Sequence, residues 1–430
     1  MAQTEPFPAL RTRTNMKDSP SSPNGARNPS DRTRPHSKRR KARSLLRRYW
    51  RYSLRQHTWL NPLILIIIFL SLYALDPTPS NPLHQFIFLS YPIPRPEGVP
   101  SDTPIQYGKG GSDFCFIAFY TVVFSFTREF LMQRMIRPLA IRLGIHKRAK
   151  QARFMEQFYT AVYFAFMGPF GIYVMKRTPI WYFNTTAMYE GFPHRSHIGI
   201  FKAYYLLQAA YWTQQAIVLL LMLEKPRKDF KELCLHHAVT IALIWCSYRF
   251  HFTYMGIAVY ITHDISDFFL ATSKCLNYID HWFTGPYFGF FIFVWAYTRH
   301  WSNLRILYSI LTEFATVGPY ELNWETQQYK CWISQIITFA LLLTLQIVNL
   351  FWFYLILRIA YRFVVTRRGK DERSDDEDED EDTKAEEELN KLEGPGVNAA
   401  AEGPKLQVNG QPVSIDSEVA QGKENVKRRR

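Results

Sequence analysis

The segment ELCLHHAVTIALIWCSYRFHFTYMGIAVYITHDISDFFLATSK, residues 232–274, decides how this chain is read. It holds two apolar runs, 232–250 and 252–274. Each has the length of about 20 residues that a helix needs to cross roughly 30 Å of hydrocarbon. Inside the first run sit adjacent imidazoles, His236 and His237, and inside the second lies His263-Asp264-Ile265-Ser266-Asp267. Ionisable side chains near the middle of a membrane helix cost on the order of 2.5–3.5 kcal/mol each. Imidazoles and carboxylates on neighbouring spans are therefore expected to be used together.

Outward from these runs the pattern repeats. Further candidate spans are 58–75, 113–136, 155–175, 201–223, 283–310 and 332–363, eight in all. Arg128-Glu129 and Arg299-His300 interrupt the second and seventh, which leaves seven or six spans as alternatives. The expected fold is all-α, a polytopic membrane protein of about eight transmembrane helices. Cytosolic loops carry an excess of Lys and Arg, so the cations set the orientation. Lys38-Arg39-Arg40-Lys41 and Arg47-Arg48 precede the first span. Basic stretches also follow the second span (Arg134 to Arg153), the fourth (Lys225, Arg227, Lys228) and the eighth (Arg362, Arg367, Arg368). Loops 76–112 and 312–330 carry few cations. Both termini are thus predicted to be cytosolic. Asn184-Thr185-Thr186, a glycosylation pattern, falls on the predicted lumenal side and makes Asn184 a candidate modification site.

The 430 residues carry a net charge of +15, but the ends are polar and the middle strongly apolar, so the average misleads. The cations flank membrane spans, and no nucleic-acid partner is expected. Four regions are predicted: a basic arm 1–56, expected to be disordered in its Ser-, Pro- and Arg-rich part; two helices and a lumenal loop, 57–148; a domain of about six helices, 149–366; and an acidic cytosolic tail, 367–430. No signal peptide is visible at the start. In the tail, Ser374 precedes a run of carboxylates and suits an acid-directed kinase. Five scattered cysteines give neither a disulfide framework nor a zinc spacing. There is no HExxH, and adjacent histidines diverge by about 100° on a helix. No metal is expected.

If the fifth helix runs inward from the cytosol and the sixth returns, His236 and His237 lie one or two turns deep. Asp264 and Asp267, three apart, then share a face at that level or slightly deeper. Asp267 and Lys274 share a stripe. A polar cavity in the cytosolic half is expected, bounded by His236, His237, Asp264 and Asp267, with Lys274, Arg299 and His300 as candidate substrate contacts. Lys225, Arg227 and Lys228 border its mouth, suited either to an anionic substrate or to ordinary positive-inside anchoring. A single His or Asp of this kind is more often structural, bonded to a carbonyl or bridging helices. The group together is better read as a site, because helix bridging can be built from less costly Ser, Thr or Gln.

The run Glu224 to Glu232, continuing through His236-His237-Ala238-Val239-Thr240 to His263-Asp264-Ile265-Ser266-Asp267 and Lys274, closely resembles the longevity-assurance motif of ceramide synthases. Tyr204-Tyr205-Leu206-Leu207-Gln208, Tyr211-Trp212 and Gln214-Gln215 are similar to the same family's fourth-span pattern. The likeness covers roughly 150 to 365, a TLC-type helical bundle, and without a homeobox-like insert it looks like the fungal type. The resemblance implies N-acylation of a sphingoid long-chain base by a fatty acyl-CoA in the endoplasmic reticulum membrane. Acyl-CoA would be a co-substrate, with no cofactor. It also implies that His236, His237, Asp264 and Asp267 are the essential residues and that loop 312–330 bears on acyl-chain length. A homo- or heterodimer and a small accessory subunit stay open. Two routes fit the residues: a histidine as general base for direct transfer, or a histidine as nucleophile forming an acyl-imidazole. The rival readings are a non-enzymatic TLC-domain factor, which need not keep the histidines and aspartates, and a proton-coupled transporter.

Overall fold

The computed structural model describes residues 57–98, 100–224 and 228–366, together with the short paired stretches Gln407–Val408 and Gln411–Pro412. The arm 1–56, Lys225, Arg227, Ser374 and nearly all of the tail lie outside the described residues.

Eight long helical rods form the body of the described chain, beside the short helical turns His84–Ile87 and Thr186–Met188. They are α1, Leu60–Leu75; α2, Ser112–Leu131, which continues through a π-helical turn Met132–Ile136 into Arg137–Arg142; α3, Arg148–Lys176; and α4, Gly199–Leu220. There follow α5, Phe230–Arg249; α6, Thr253–Tyr278; α7, which begins as Thr284–Trp295, passes through the π-helical segment Ala296–Ser302 and ends as Asn303–Thr312; and α8, Trp332–Thr366. Each coincides with one apolar run of the sequence. By length and composition alone, among the described residues only Ser112–Arg142, Arg148–Lys176 and Trp332–Val365 are long and apolar enough to cross a membrane, with Leu60–Leu75 a shorter apolar helix. The rods that fall short carry the polar side chains, such as Lys202, Gln208 and Gln214 on α4 or His263 and Asp264 on α6. These groups are buried by neighbouring helices.

Connections differ between the two ends of the bundle. One face has the links 143–147, 221–229 and 279–283; the other has the long ones, 76–111, 177–198 and 313–331, together with the three-residue turn 250–252. On the long-loop face the structure departs from an all-α fold. Strands β1 (Pro92–Ile93), β2 (Gln106–Tyr107) and β3 (His197–Ile198) form a small antiparallel sheet in the order β1-β2-β3. The extended loops pass side by side there, and pairing satisfies backbone groups that would otherwise be buried unbonded.

Two features position the core. At Gly171 of α3 a Cβ would sit 2.5 Å from the Tyr204 hydroxyl and 2.9 Å from Ile261, so the absent side chain lets α3 close on α4 and α6. Pro169 lies inside α3 without ending it. Several buried charges are paired. Arg128 meets Glu129 and Glu224, which explains how the second span tolerates its interruption.

Candidate active site

The second turn of α5 carries His236 and His237. The helix begins beyond Asp229, whose Oδ2 accepts a hydrogen bond from Trp352 Nε1 of α8 at 3.1 Å. The His236 ring packs edge-on to Trp352 at 5.1 Å and lies 6.0 Å from Trp212 of α4. His236 is buried, and its Nδ1 has no hydrogen-bond partner among the described residues. His237 Nδ1 donates to the carbonyl of Leu233 at 2.9 Å, one turn back on its own helix.

On α6, successive residues diverge by about 100°. His263 therefore faces α5, its ring 6.4 Å from that of His236 and inclined at 25°. Its Nδ1 donates to the Val259 carbonyl at 2.8 Å. Asp264 faces α4 instead, where the Tyr204 hydroxyl donates to Oδ2 at 2.8 Å and Gln208 Nε2 also donates. Tyr163 of α3 completes this knot, donating to Gln208 Oε1 at 3.2 Å. Asp267 faces α7 and pairs with Arg299. Arg299 in turn donates from Nε to Ser266 Oγ at 2.6 Å and from Nη1 to Asn349 Oδ1 of α8 at 3.0 Å. The guanidinium also stands 4.3 Å over the Trp295 ring.

A cavity of about 250 Å³ runs from His236, His263 and Trp212 at one end to Leu322, Trp324 and Tyr329 of the 313–331 connection at the other. Between these ends its wall is mainly apolar, with Leu243, Ile244, Met255, Ile337, Leu341 and Leu345. Two imidazoles thus line one end of a mainly apolar cavity.

The sequence expectations sort clearly against this geometry. His236 lines the cavity; His237, Asp264 and Asp267 are not among its lining residues. The carboxylates were expected to face the imidazoles, but Asp264 is turned to Tyr204 and Gln208 and Asp267 to Arg299. Arg299 is a buried cross-link; His300 Nδ1 accepts from Gln346 Nε2 at 2.7 Å, and its ring packs on Phe353. Neither lines the cavity. Lys274 borders a separate pocket of about 60 Å³ with Ser273, Asn277 and Thr284. Lys228 is exposed just before α5. Asn184 is exposed, while Thr185 and Thr186 donate to the carboxylate of Glu313 at 2.9 and 3.0 Å. His263, Asn349 and Trp352 were not singled out from sequence. Their signal was present: Gln346, Asn349 and Trp352 recur every three residues inside the otherwise apolar last span. No cluster of three or more His, Cys, Asp or Glu suited to a metal occurs among the described residues.

Residues 153–358 match the TLC domain shared by the TRAM, LAG1 and CLN8 proteins. The chain is 54% identical over 321 residues to the sphingosine N-acyltransferase-like protein FUM17 of Gibberella moniliformis, covering 74% of this chain and 83% of that protein. It is 48% identical over 343 residues to the sphingosine N-acyltransferase lac1 of Schizosaccharomyces pombe, 79% of this chain and 87% of the relative. The ceramide synthase LAG1 of Saccharomyces cerevisiae is 48% identical over 344 residues, 79% of this chain and 82% of the relative. With two imidazoles at the head of an apolar tunnel and likeness of this extent to acyltransferases, the chain belongs to the multi-pass TLC-domain family of sphingosine N-acyltransferases, the ceramide synthases.

Proposed function

We propose that this enzyme joins the fatty acyl group of an acyl-CoA to the amine of a sphingoid base such as sphinganine, with His236 meeting the thioester. The observation that carries the assignment is the coincidence of His236 with the polar end of the apolar cavity. An alkyl chain laid in the tunnel is removed from water, while its carbonyl is held at the imidazole. Holding two dilute lipids in reacting geometry supplies much of the rate, because effective molarities reach about 10⁵–10⁸ M in well-oriented systems.

The chemistry follows from the state of the ring. An imidazole whose Nδ1 lacks a protein partner is available as a nucleophile. Its ring nitrogen attacks the thioester carbon; the C–N bond forms, the C–S bond breaks, and the CoA thiolate leaves with the imidazole proton. The amine then attacks the acyl-imidazole carbon, the amide bond forms, and His236 leaves as neutral imidazole. His237 stays beside it, oriented by the Leu233 carbonyl. Asp264 and Asp267 act at a distance: the first pins α6 to α4, and the second fixes Arg299 at the back of the site.

All eight rods then span the bilayer, the short-loop face is cytosolic, both termini lie in the cytosol, and the endoplasmic reticulum is the site of action. CoA remains in the cytosol beside Lys225, Arg227 and Lys228, with the sphingoid base and membrane lipids reached through the bilayer. In this arrangement the basic arm and acidic tail flank a catalytic domain at 149–366, and the 313–331 connection closes the far end of the acyl tunnel. Detergent-purified protein supplied with sphinganine and a panel of acyl-CoAs tests the reading. Ceramide-type product from the native chain and none from a His236→Ala, His237→Ala variant is expected; product from both would refute it.

A further inference from the structure

Opposite His236, a second imidazole closes the same end of the cavity, and its surroundings are unlike those of the first. His263 is buried, lines the cavity, and is held through a chain of three side chains that ends on an ion pair. Asp267 binds Arg299; Arg299 Nη1 donates to Asn349 Oδ1 at 3.0 Å; and Asn349 Nδ2 stands 3.5 Å from His263 Nε2. The order of donors leaves one choice. A guanidinium has no acceptor, so the Asn349 oxygen must face Arg299 and its NH₂ must face the ring. A carbonyl has no proton, so the ring proton must sit on Nδ1 for the bond to Val259 at 2.8 Å. Both constraints place the lone pair of His263 on Nε2. At 3.5 Å the amide marks that lone pair without tying it up strongly.

We infer that His263 is a second catalytic imidazole, which takes a proton from the incoming sphingoid ammonium, and that Asn349 is the positioning residue that keeps its Nε2 unprotonated. The inference rests on the acyl-imidazole reading and assigns its second half. The ammonium N–H bond breaks with its electron pair staying on nitrogen, and the proton goes to His263 Nε2. The amine attacks the acyl carbon on His236, one N–H proton of the attacking amine passes to the departing imidazole, and His263 returns its own proton to water. The sum is thioester plus ammonium giving amide, thiol and one proton. The ionisable groups facing His263 are His236 from α5 and, from α7, Arg299 with its partner Asp267. On its own helix the Tyr260 phenol lines the same cavity, and α8 contributes only the uncharged Asn349. No carboxylate bonds to the ring, which leaves the Val259 carbonyl and the Asn349 amide to set its tautomer.

Two measurements on the purified, full-length enzyme test this: acyl-protein formed from acyl-CoA alone, and kcat against pH with sphinganine added. His263→Gln should still form acyl-protein while kcat near neutral pH drops by about 10²–10⁴-fold, the usual worth of a general base. Its acid limb should also move toward the ~10 of a free alkylammonium, since the amine must then ionise unaided. Asn349→Asp replaces the donor with an acceptor and draws the proton onto Nε2, so it should move the same limb the same way. Asn349→Gln should recover part of the loss. An unmoved pH limb in both His263→Gln and Asn349→Asp overturns the inference. So does an equal loss of acyl-protein and turnover, which would mark His263 as structural. Should the native enzyme form no acyl-protein, the acyl-imidazole reading falls, while the pH limb still judges His263. If His263→Gln does not survive purification, Asn349→Asp carries the same readout.

Discussion

The two ends of the helix bundle both bury charge, yet they use it in opposite ways. On the long-loop face every buried ion is answered. Lys202 binds Asp113 at 2.7 Å and donates to the carbonyls of Ser90 and Gly108 at 2.8 and 2.7 Å. Asp113 also accepts from the Tyr248 hydroxyl at 2.7 Å and the Gly110 amide at 3.0 Å. Nearby, Lys109 donates to the His194 carbonyl at 2.8 Å and reaches His251 Nδ1 at 3.3 Å and Thr253 Oγ1 at 3.5 Å. Ring nitrogens without a partner occur at both ends among the described residues, His194 Nδ1 and His251 Nε2 on the long-loop face and His236 Nδ1 at the short-loop end, but of these three only His236 lines the cavity. Buried polar groups alone therefore do not mark the active site. What sets His236 apart is an incompletely satisfied imidazole at the wall of an open space, where leaving a buried polar atom without a partner costs about 1–3 kcal/mol.

That contrast can be broken in several ways, and the largest effect belongs to the histidine end. His236→Ala should lower turnover by at least about 10³-fold while moving the melting temperature little, because nucleophile and base contributions lie mostly in the transition state. Equal loss of activity and fold would erase the distinction between the two ends.

The reverse signature is expected on the other face. Lys202→Met strands Asp113 in the protein interior, where removing one partner of a buried pair costs about 3–5 kcal/mol. Thermal stability in detergent should collapse, and adding Asp113→Asn should restore part of it. A third, smaller effect sharpens the role of the tunnel. Trp324→Ala enlarges its far end, so the ratio of kcat/KM for longer over shorter acyl-CoAs should rise by about 10-fold, the low end of what one substrate methylene is worth in an apolar pocket. An unchanged ratio would mean that the tunnel end does not measure the chain.

The smallest expected effect is a pH dependence of stability at the long-loop face. Burial, and next the neighbouring Lys109, pull the His251 imidazole from the ordinary 6.5 down to about 3. Between these values the unfolded chain binds a proton that the folded chain refuses. Stability is thus fully present above about pH 6.5 and declines as the pH falls. The melting temperature should be lower at pH 5 than at pH 7. His251→Phe, which keeps a ring against Tyr329, should flatten that slope.

Much of the bundle was legible in the sequence because a membrane helix declares itself locally: a run of apolar residues of the right length is its own signal. The eight rods and the placement of His236 came from that signal. What lay beyond it were relations between helices. Asp264 and Asp267 differ by only about 60° in helical phase, yet one meets Tyr204 on α4 and the other Arg299 on α7. No periodicity within α6 names those neighbours. The same holds for Asn349, almost ninety positions from the ring it faces, and for the small sheet, whose two-residue strands carry no pattern of their own. The cations Lys109 and Lys202 were hidden for a related reason: their partners are backbone carbonyls and residues of distant loops.

The central claim is that the acyl group is passed to His236 at the head of the tunnel. The most direct test is to incubate the purified enzyme with acyl-CoA and no sphingoid base, quench it, and map the modified peptide by mass spectrometry. The account predicts one acyl group per chain on His236, absent from His236→Ala and discharged as amide when sphinganine is added. An acyl group on another residue that sphinganine discharges just as well, or no acyl-protein at any stage of turnover, would contradict it.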